Sequence, residues 1–258
     1  MNRLIYLPQE LRETVQQKCF LKVISGLNNF NHSSIEKIAW AAGEGGADLL
    51  DVACDPDIVR LALKASHLPV CVSSVEPEAF EAALDAGASM IEIGNFDTFY
   101  PKGRFFNAEE VLQLASKTRQ LFSKVPLSVT VPHILPLDQQ AQLALDLVAI
   151  GTDFIQTEGG TSAKPISSGV LGLMEKAAPT LAATYEIKKT LDEADKSIPI
   201  ISASGLSAVT VPMAMSCGAS GVGVGSVVNL AKDEVAMLAV VRRLRSSIAN
   251  YKKCLSEL

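Results

Sequence analysis

Lys22 lies in the apolar stretch Phe20-Leu21-Lys22-Val23-Ile24, which has the composition of a buried strand. Its ammonium therefore points either into the interior of a closed sheet or into the helix layer outside it. Neither place suits a charge without a partner. Asp51, in the next strand-like stretch, is in register to supply that partner. A lysine so placed can have its pKa lowered and act as an imine-forming nucleophile or a proton carrier; the structural alternative is a lysine that snorkels out at the bottom. Glu92 is a carboxylate flanked by isoleucines in Met90-Ile91-Glu92-Ile93, where it has few structural uses. His133 directly follows Thr130-Val131-Pro132, which makes it the histidine best placed for general acid or base work. Lys22, Asp51, Glu92 and His133 are the candidate catalytic residues.

Residues 199–229 carry a second kind of chemistry. They read as a strand (Ile200 to Ala203), a Ser204-Gly205-Leu206 turn, a short helix, a Gly218-Ala219 helix stop, a strand (Gly221 to Val224) and a Gly225-Ser226 turn. Two parallel strands ending side by side in small-residue turns, each opening a helix, collect backbone N–H groups around one point. That point attracts an anion such as phosphate or sulfate. Ser204, Gly205, Gly223, Gly225 and Ser226 are the candidate phosphate ligands.

Polar residues recur at other strand ends, and Ser73, Asn95, Thr130, Gln156 and Glu158 are candidates for substrate contact. Thr161 and Lys164 join them from the segment Thr157-Glu158-Gly159-Gly160-Thr161-Ser162-Ala163-Lys164-Pro165, which suits a lid over an anion or polar contacts to a ring edge. The stretch 95–106 holds Phe96, Phe99, Tyr100, Phe105 and Phe106 with Lys102 and Arg104; it walls a pocket or forms a homo-oligomer contact. No His, Cys, Asp and Glu set has metal-ligand spacing, so no metal is expected.

The elements that position these residues emerge from a repeat. Gly46-Ala47-Asp48, Gly87-Ala88-Ser89, Gly151-Thr152-Asp153 and Gly218-Ala219-Ser220 each end an Ala/Leu-rich helix and begin a strand. Strands opened by Pro69, Pro126 and Pro199 alternate with them, and Phe20 to Ile24 completes eight. Helices are expected over 33–44, 56–66, 77–86, 107–123, 136–150, 180–194, 207–217 and 231–251, with an extra N-terminal helix over 8–18 beneath the sheet. Strand-helix alternation with continuously apolar strands predicts a single (β/α)8 TIM barrel of the phosphate-binding type over residues 1–258. The long connections 95–106 and 157–169 follow strand C-terminal ends, where barrels of this kind place their sites, and are candidate lids.

Composition excludes several classes. The chain has 258 residues, 48% apolar content and net charge −5. Without a basic block interleaved with aromatics, no nucleic-acid partner is expected. Mean hydropathy is +0.25, but Gly, Pro or a charge interrupts every apolar run well before the roughly 20 residues of a membrane span, so no membrane insertion is expected. Residues 1–11 lack the pattern of a secretory or transit leader. Five scattered cysteines without a C-x-x-C pair fit a reducing compartment.

Lys22-Val23-Ile24-Ser25-Gly26-Leu27-Asn28-Asn29-Phe30, Gly45-Gly46-Ala47-Asp48 with Asp51, and Ile155-Gln156-Thr157-Glu158-Gly159-Gly160-Thr161-Ser162 resemble the hypothetical chloroplast reading frame twenty-three family of cyanobacteria and algal plastids. The resemblance covers nearly the whole chain. It implies an aldolase-type barrel and a location in the cyanobacterial cytoplasm or plastid stroma, and it carries no assigned reaction. Residues 199–226 are also similar to a wider set of phosphate-binding barrels, which includes lyases and isomerases of phosphorylated compounds and flavin mononucleotide (FMN) oxidoreductases. Gln156 occupies the sixth strand, where no Schiff-base lysine motif stands, and this counts against a standard class I aldolase. The expectation is an enzyme acting on a small phosphorylated metabolite by lyase, isomerase or condensation chemistry. The alternatives are an FMN oxidoreductase with the same turns on the flavin phosphate, and a non-enzymatic metabolite sensor acting through its aromatic loop.

Overall fold

The computed structural model describes residues 3–159 and 163–256. A 3-10 turn (Arg3–Tyr6) leads to α1 (Gln9–Gln16), β1 (Phe20–Ile24), α2 (His32–Gly45), β2 (Leu49–Ala53), α3 (Pro56–Ser66) and β3 (Val70–Ser74). After a 3-10 turn at Pro77–Ala79 come α4 (Phe80–Asp85) and β4 (Met90–Ile93), then two further 3-10 turns and α5 (Ala108–Leu121). The chain continues through β5 (Leu127–Thr130), α6 (Leu137–Ile150), β6 (Phe154–Gln156), α7 (Gly169–Glu193) and β7 (Ile200–Ala203). It ends with α8 (Val211–Ser216), β8 (Gly221–Val224), the single-turn α9 (Ser226–Asn229) and α10 (Glu234–Ser256). The eight strands pair in chain order, all parallel, and β8 returns to β1, which closes a TIM barrel.

The sequence repeat sets the register of this barrel. Gly46, Gly87, Gly151 and Gly218 all lie in the left-handed region, with φ of 82°, 109°, 95° and 100°. In each case the residue two places on donates its N–H to a carbonyl of the preceding strand: Asp48 to Leu21, Ser89 to Val70, Asp153 to Leu127 and Ser220 to Ile200, at 2.8–2.9 Å. The two aspartates do more. Asp48 Oδ2 accepts the Leu21 N–H at 2.7 Å and Asp153 Oδ2 the Leu127 N–H at 3.0 Å, and Arg245 and Arg119 balance their charges.

Side-chain alternation then divides the interior into storeys. The lowest is apolar: Phe20, Leu49, Cys71, Met90, Phe154 and Ile201 meet Leu11 and Val15 of α1, which forms the expected extra helix under the floor. Gly221 leaves the space Phe20 fills; a Cβ there would lie 2.5 Å from the Phe20 backbone oxygen. Outward-facing residues such as Val23, Leu50, Val72, Ile91, Val129 and Ile155 bury against the helices, each worth about 1.5–3 kcal/mol. The next interior storey is polar, and it is the base of the site.

Several expected boundaries shift. The helix expected over 180–194 begins at Gly169 and runs through Pro179. Gly169, Gly172 and Pro179 lower its intrinsic propensity, but Glu175 of its second turn reaches back to accept the N–H groups of Ile166 and Ser167 and the Ser167 hydroxyl. Thr180 Oγ1 donates to the carbonyls of Ala203 and Ser204 at the end of β7. Since α7 runs antiparallel to the strands, its first half, about 16 Å long at the helical rise, stands above the barrel rim. The helix expected over 77–86 splits into the 3-10 turn and α4, and those expected over 207–217 and 231–251 form as α8 and as α10 preceded by α9. Among the described residues, no helix is long and apolar enough to cross a membrane.

Candidate active site

Lys22 is fully buried inside the barrel, so the snorkelling alternative does not apply. Its Nζ lies 2.7 Å from Asp51 Oδ2, 2.7 Å from Glu92 Oε2 and 3.0 Å from Gln156 Oε1. Three acceptors thus take the three donors of an ammonium. Burial alone would push its pKa down, but the charges of Asp51 and Glu92 outweigh that and hold it above the ordinary lysine value. The lowered pKa expected for an imine-forming lysine is therefore not found. The sequence pairs Lys22 with one carboxylate; the fold gives it two.

Asp51 also accepts the Ser73 hydroxyl on both oxygens, at 2.7 and 2.9 Å. Burial raises its pKa, Lys22 pulls it back and Glu92 adds to the rise, which leaves it at about 6. The other oxygen of Glu92 accepts Gln156 Nε2 at 2.7 Å and Thr130 Oγ1 at 3.4 Å. Gln156 is oriented by this chemistry, with its oxygen on the cation and its amide nitrogen on the carboxylate. Ser73, Asp51, Lys22, Glu92, Gln156 and Thr130 therefore form one continuous network drawn from six strands.

Above it, at the strand C-terminal ends, opens a cavity of about 310 Å³. Gln156, Thr130 and Gly223 line its base. A Cβ at Gly223 would come within 2.9 Å of Ala203 Cβ and 3.1 Å of Ile24 Cδ1, so only glycine leaves this space open. One wall consists of the two turns: Ser204 and Gly205, consecutive left-handed residues with φ of 81° and 72°, and Gly225 with Ser226, which opens α9. Lys176, from the overhanging half of α7, lines the cavity as well.

The opposite wall carries Asn95, Asp97 and Glu158. Glu158 Oε1 accepts the Asp97 N–H at 2.8 Å; its Oε2 accepts the Tyr100 hydroxyl at 2.7 Å and the His133 N–H at 3.2 Å, and lies 3.0 Å from His133 Nδ1. Burial, then the neighbouring Glu158 charge, lifts Asp97 to about 6. Burial and Glu158 likewise hold the Tyr100 phenol above its ordinary value. Asn95 is itself left-handed, with φ of 57°, and its buried Nδ2 has no hydrogen-bond partner among the described residues.

The structure thus gathers most of the residues singled out by type and spacing, with a division the sequence did not announce. Lys22, Asp51, Ser73 and Glu92 lie beneath the cavity, while Thr130, Gln156, Glu158, Asn95 and the phosphate-type turns face it. His133 stands behind Glu158 rather than on the cavity wall. Lys164 is exposed and away from the cavity, and Lys176 takes the place expected of it. Thr161 lies outside the described residues. The loop 95–106 folds onto its own barrel: Phe96 and Phe106 are buried with ring centroids 4.6 Å apart, and Phe105 remains 54% exposed. Asp97, Tyr100 and Lys176 are functional candidates that sequence reasoning missed. Asp97 and Tyr100 sit among aromatics that read as a pocket wall or an oligomer contact without singling either out, and Lys176 among helix breakers that suggested a loop.

Solved structures similar to this chain share the fold. 3-Hexulose-6-phosphate synthase superimposes with a TM-score of 0.61 at 18% identity, covering 88% of this chain and 99% of that one. (S)-3-O-geranylgeranylglyceryl phosphate synthase from Thermoplasma acidophilum, in complex with sn-glycerol-1-phosphate, gives 0.61 at 14% identity, over 95% and 100%. Sequence relatives lie much nearer. The protein named "Uncharacterized protein ycf23" of Cyanophora paradoxa is 40% identical over 242 residues, 93% of this chain and 97% of that protein, and the one of Porphyra purpurea is 38% identical over 230 residues, 89% and 85%. Residues 7–254 match the family described as "Protein of unknown function (DUF561)", and the chain belongs to that family together with the ycf23 proteins.

Proposed function

We propose that this protein is an enzyme acting on a small phosphorylated metabolite by lyase, isomerase or condensation chemistry. One observation carries the reading: a single cavity runs from two glycine-and-serine turns at the ends of β7 and β8, joined by Lys176, to a floor held by a buried ion network. The turns and the lysine suit a phosphate, because backbone donors at small residues and a nearby ammonium complement its charge. The glycerol phosphate and hexulose phosphate named for the two structural neighbours support the same class. A metabolite of that kind fits a volume at the lower end of small-molecule sites.

In this reading Lys22 does not form an imine. It stays protonated between Asp51 and Glu92 and fixes Gln156 and Thr130 in the cavity floor, while Asp97 and the Glu158–His133 pair handle protons at the opposite wall. The family's distribution supports a place of work in the plastid stroma or the cyanobacterial cytoplasm.

The test is a thermal-shift and calorimetric comparison of phosphate esters with their dephosphorylated counterparts, starting with glycerol 1-phosphate against glycerol. A ligand that binds only the folded state raises the melting temperature. Only the phosphorylated partner is expected to do so, and Ser226→Asp or Lys176→Ala should abolish the shift while leaving the unliganded melt unchanged. Absence of a shift with every phosphorylated compound overturns the reading. A yellow protein that retains flavin through purification replaces it with the FMN oxidoreductase alternative.

A further inference from the structure

The cavity is electrically uneven. Its β7–β8 side offers backbone groups, the Ser226 hydroxyl and the ammonium of Lys176, which has no ion-pair partner among the described residues. Its other side offers carboxylates. Glu158 is occupied by Tyr100, His133 and the Asp97 N–H. Asp97 is half-buried on the wall and takes a hydrogen bond from the Thr98 backbone, with no side chain donating to it among the described residues. Such a wall accepts hydrogen bonds and repels anions.

The charge count points the same way. Four carboxylates, Asp97 and Glu158 on the wall and Asp51 and Glu92 beneath the floor, face two lysines, Lys176 and Lys22, and the His133 ring set against Glu158. A phosphate dianion alone would deepen that imbalance inside a partly desolvated space. A ligand that also carries a positive charge corrects it.

We infer that the cavity takes a small zwitterion, a phosphate monoester held by the β7–β8 turns and Lys176 whose other end bears an ammonium group set against Asp97. This inference rests on the phosphate reading above and narrows it to amino-alkyl or amino-sugar phosphates. Glu158 from the end of β6, His133 from the β5–α6 connection and Tyr100 from the aromatic loop are the charged and titratable groups that act on Asp97.

Calorimetric titration of the full chain with 3-aminopropyl phosphate, propyl phosphate and glycerol 1-phosphate tests it. At about pH 8, above the Asp97 value of about 6, wild type is expected to bind the aminopropyl ester roughly tenfold more tightly than the propyl ester, the scale of one charge-assisted hydrogen bond. Asp97→Asn should erase that preference, with propyl phosphate bound at least as tightly as by wild type because one repelling charge is gone, and Asp97→Glu should keep it. At about pH 5 Asp97 takes up a proton, so the preference should shrink in wild type. Propyl phosphate at the same pH cancels the titration of the phosphate and of Asp51.

Equal affinity for the aminopropyl and propyl esters, a preference that survives Asp97→Asn, or tighter binding of glycerol 1-phosphate than of the amine would overturn the zwitterion inference while leaving the phosphate site standing. Failure of all three esters to bind sinks the phosphate reading and this inference with it.

Discussion

Six strands of the barrel raise a polar side chain into the storey above the apolar floor, and two raise almost nothing. β1 to β6 contribute Lys22, Asp51, Ser73, Glu92, Thr130 and Gln156, whose hydrogen bonds close on one another. β7 and β8 contribute Ala203 and Gly223, and the cavity opens at their rim. The difference shows how one fold makes a rigid base and a binding space at the same level. Where side chains meet, charges are paired and the interior is full. Where they are absent, backbone is left facing the void, and backbone is what a phosphate can approach closely. The first half resists change through electrostatics, the second through sterics.

Breaking the electrostatic half should have the larger effect. Lys22→Met leaves Asp51 and Glu92 buried without their cation, and loss of one member of a buried ion cluster costs about 3–5 kcal/mol. Urea unfolding near neutral pH measures it. Adding Asp51→Asn and Glu92→Gln should restore most of the loss, since the stranded charges are then gone. In the single variant Asp51, already raised by burial, loses the cation that pulls it back, so its protonation favours the folded state at low pH and that support is lost as pH rises. The deficit should therefore grow from pH 4 toward neutrality. A single variant that unfolds like wild type would show that the cluster is not a charge network.

Breaking the steric half should cost less. Gly223→Ala places a methyl group against Ala203 and Ile24, and overpacking of this kind costs about 1–3 kcal/mol. The same methyl intrudes on the cavity, so phosphate-ester affinity should fall along with stability. A variant that loses stability but binds normally would separate the glycine's packing role from the site.

Much of this division could be read beforehand, and the unread part has physical causes. The Gly-x-Asp/Ser repeat gave the barrel because each copy performs the same act, a left-handed helix stop followed by a ladder hydrogen bond. Such local devices leave a periodic trace in sequence. The polar interior was visible as Lys22 and Glu92 interrupting apolar strands. That Lys22 takes Glu92 and Gln156 as well as Asp51 was not visible, because those contacts span 70 and 134 residues and depend on the closure of the barrel. The first half of α7 was missed for a related reason. Its glycines and proline argue against a helix locally, and Glu175 with the docking of Thr180 onto β7 overrides them. Lys176 was lost with it, and Lys164 was named instead.

The smallest effect sharpens the comparison from inside the charged half, by asking whether Asp51 carries strain from sharing one lysine with Glu92. Asp51 has an ordinary value of 3.8 and stands at about 6 in the folded protein. A folded pKa above the unfolded one means that the folded state binds the proton more tightly. This group's contribution to stability is thus fully present below 3.8 and is lost as pH rises through about 6. Wild type should therefore lose stability relative to Asp51→Asn across that window, read as the change with pH of the difference between their unfolding free energies. The slope is the informative quantity, because Asp51→Asn also removes a partner of Lys22 at every pH, which offsets the two curves without tilting them in this range. A flat difference would mean that Lys22 holds Asp51 ionised throughout.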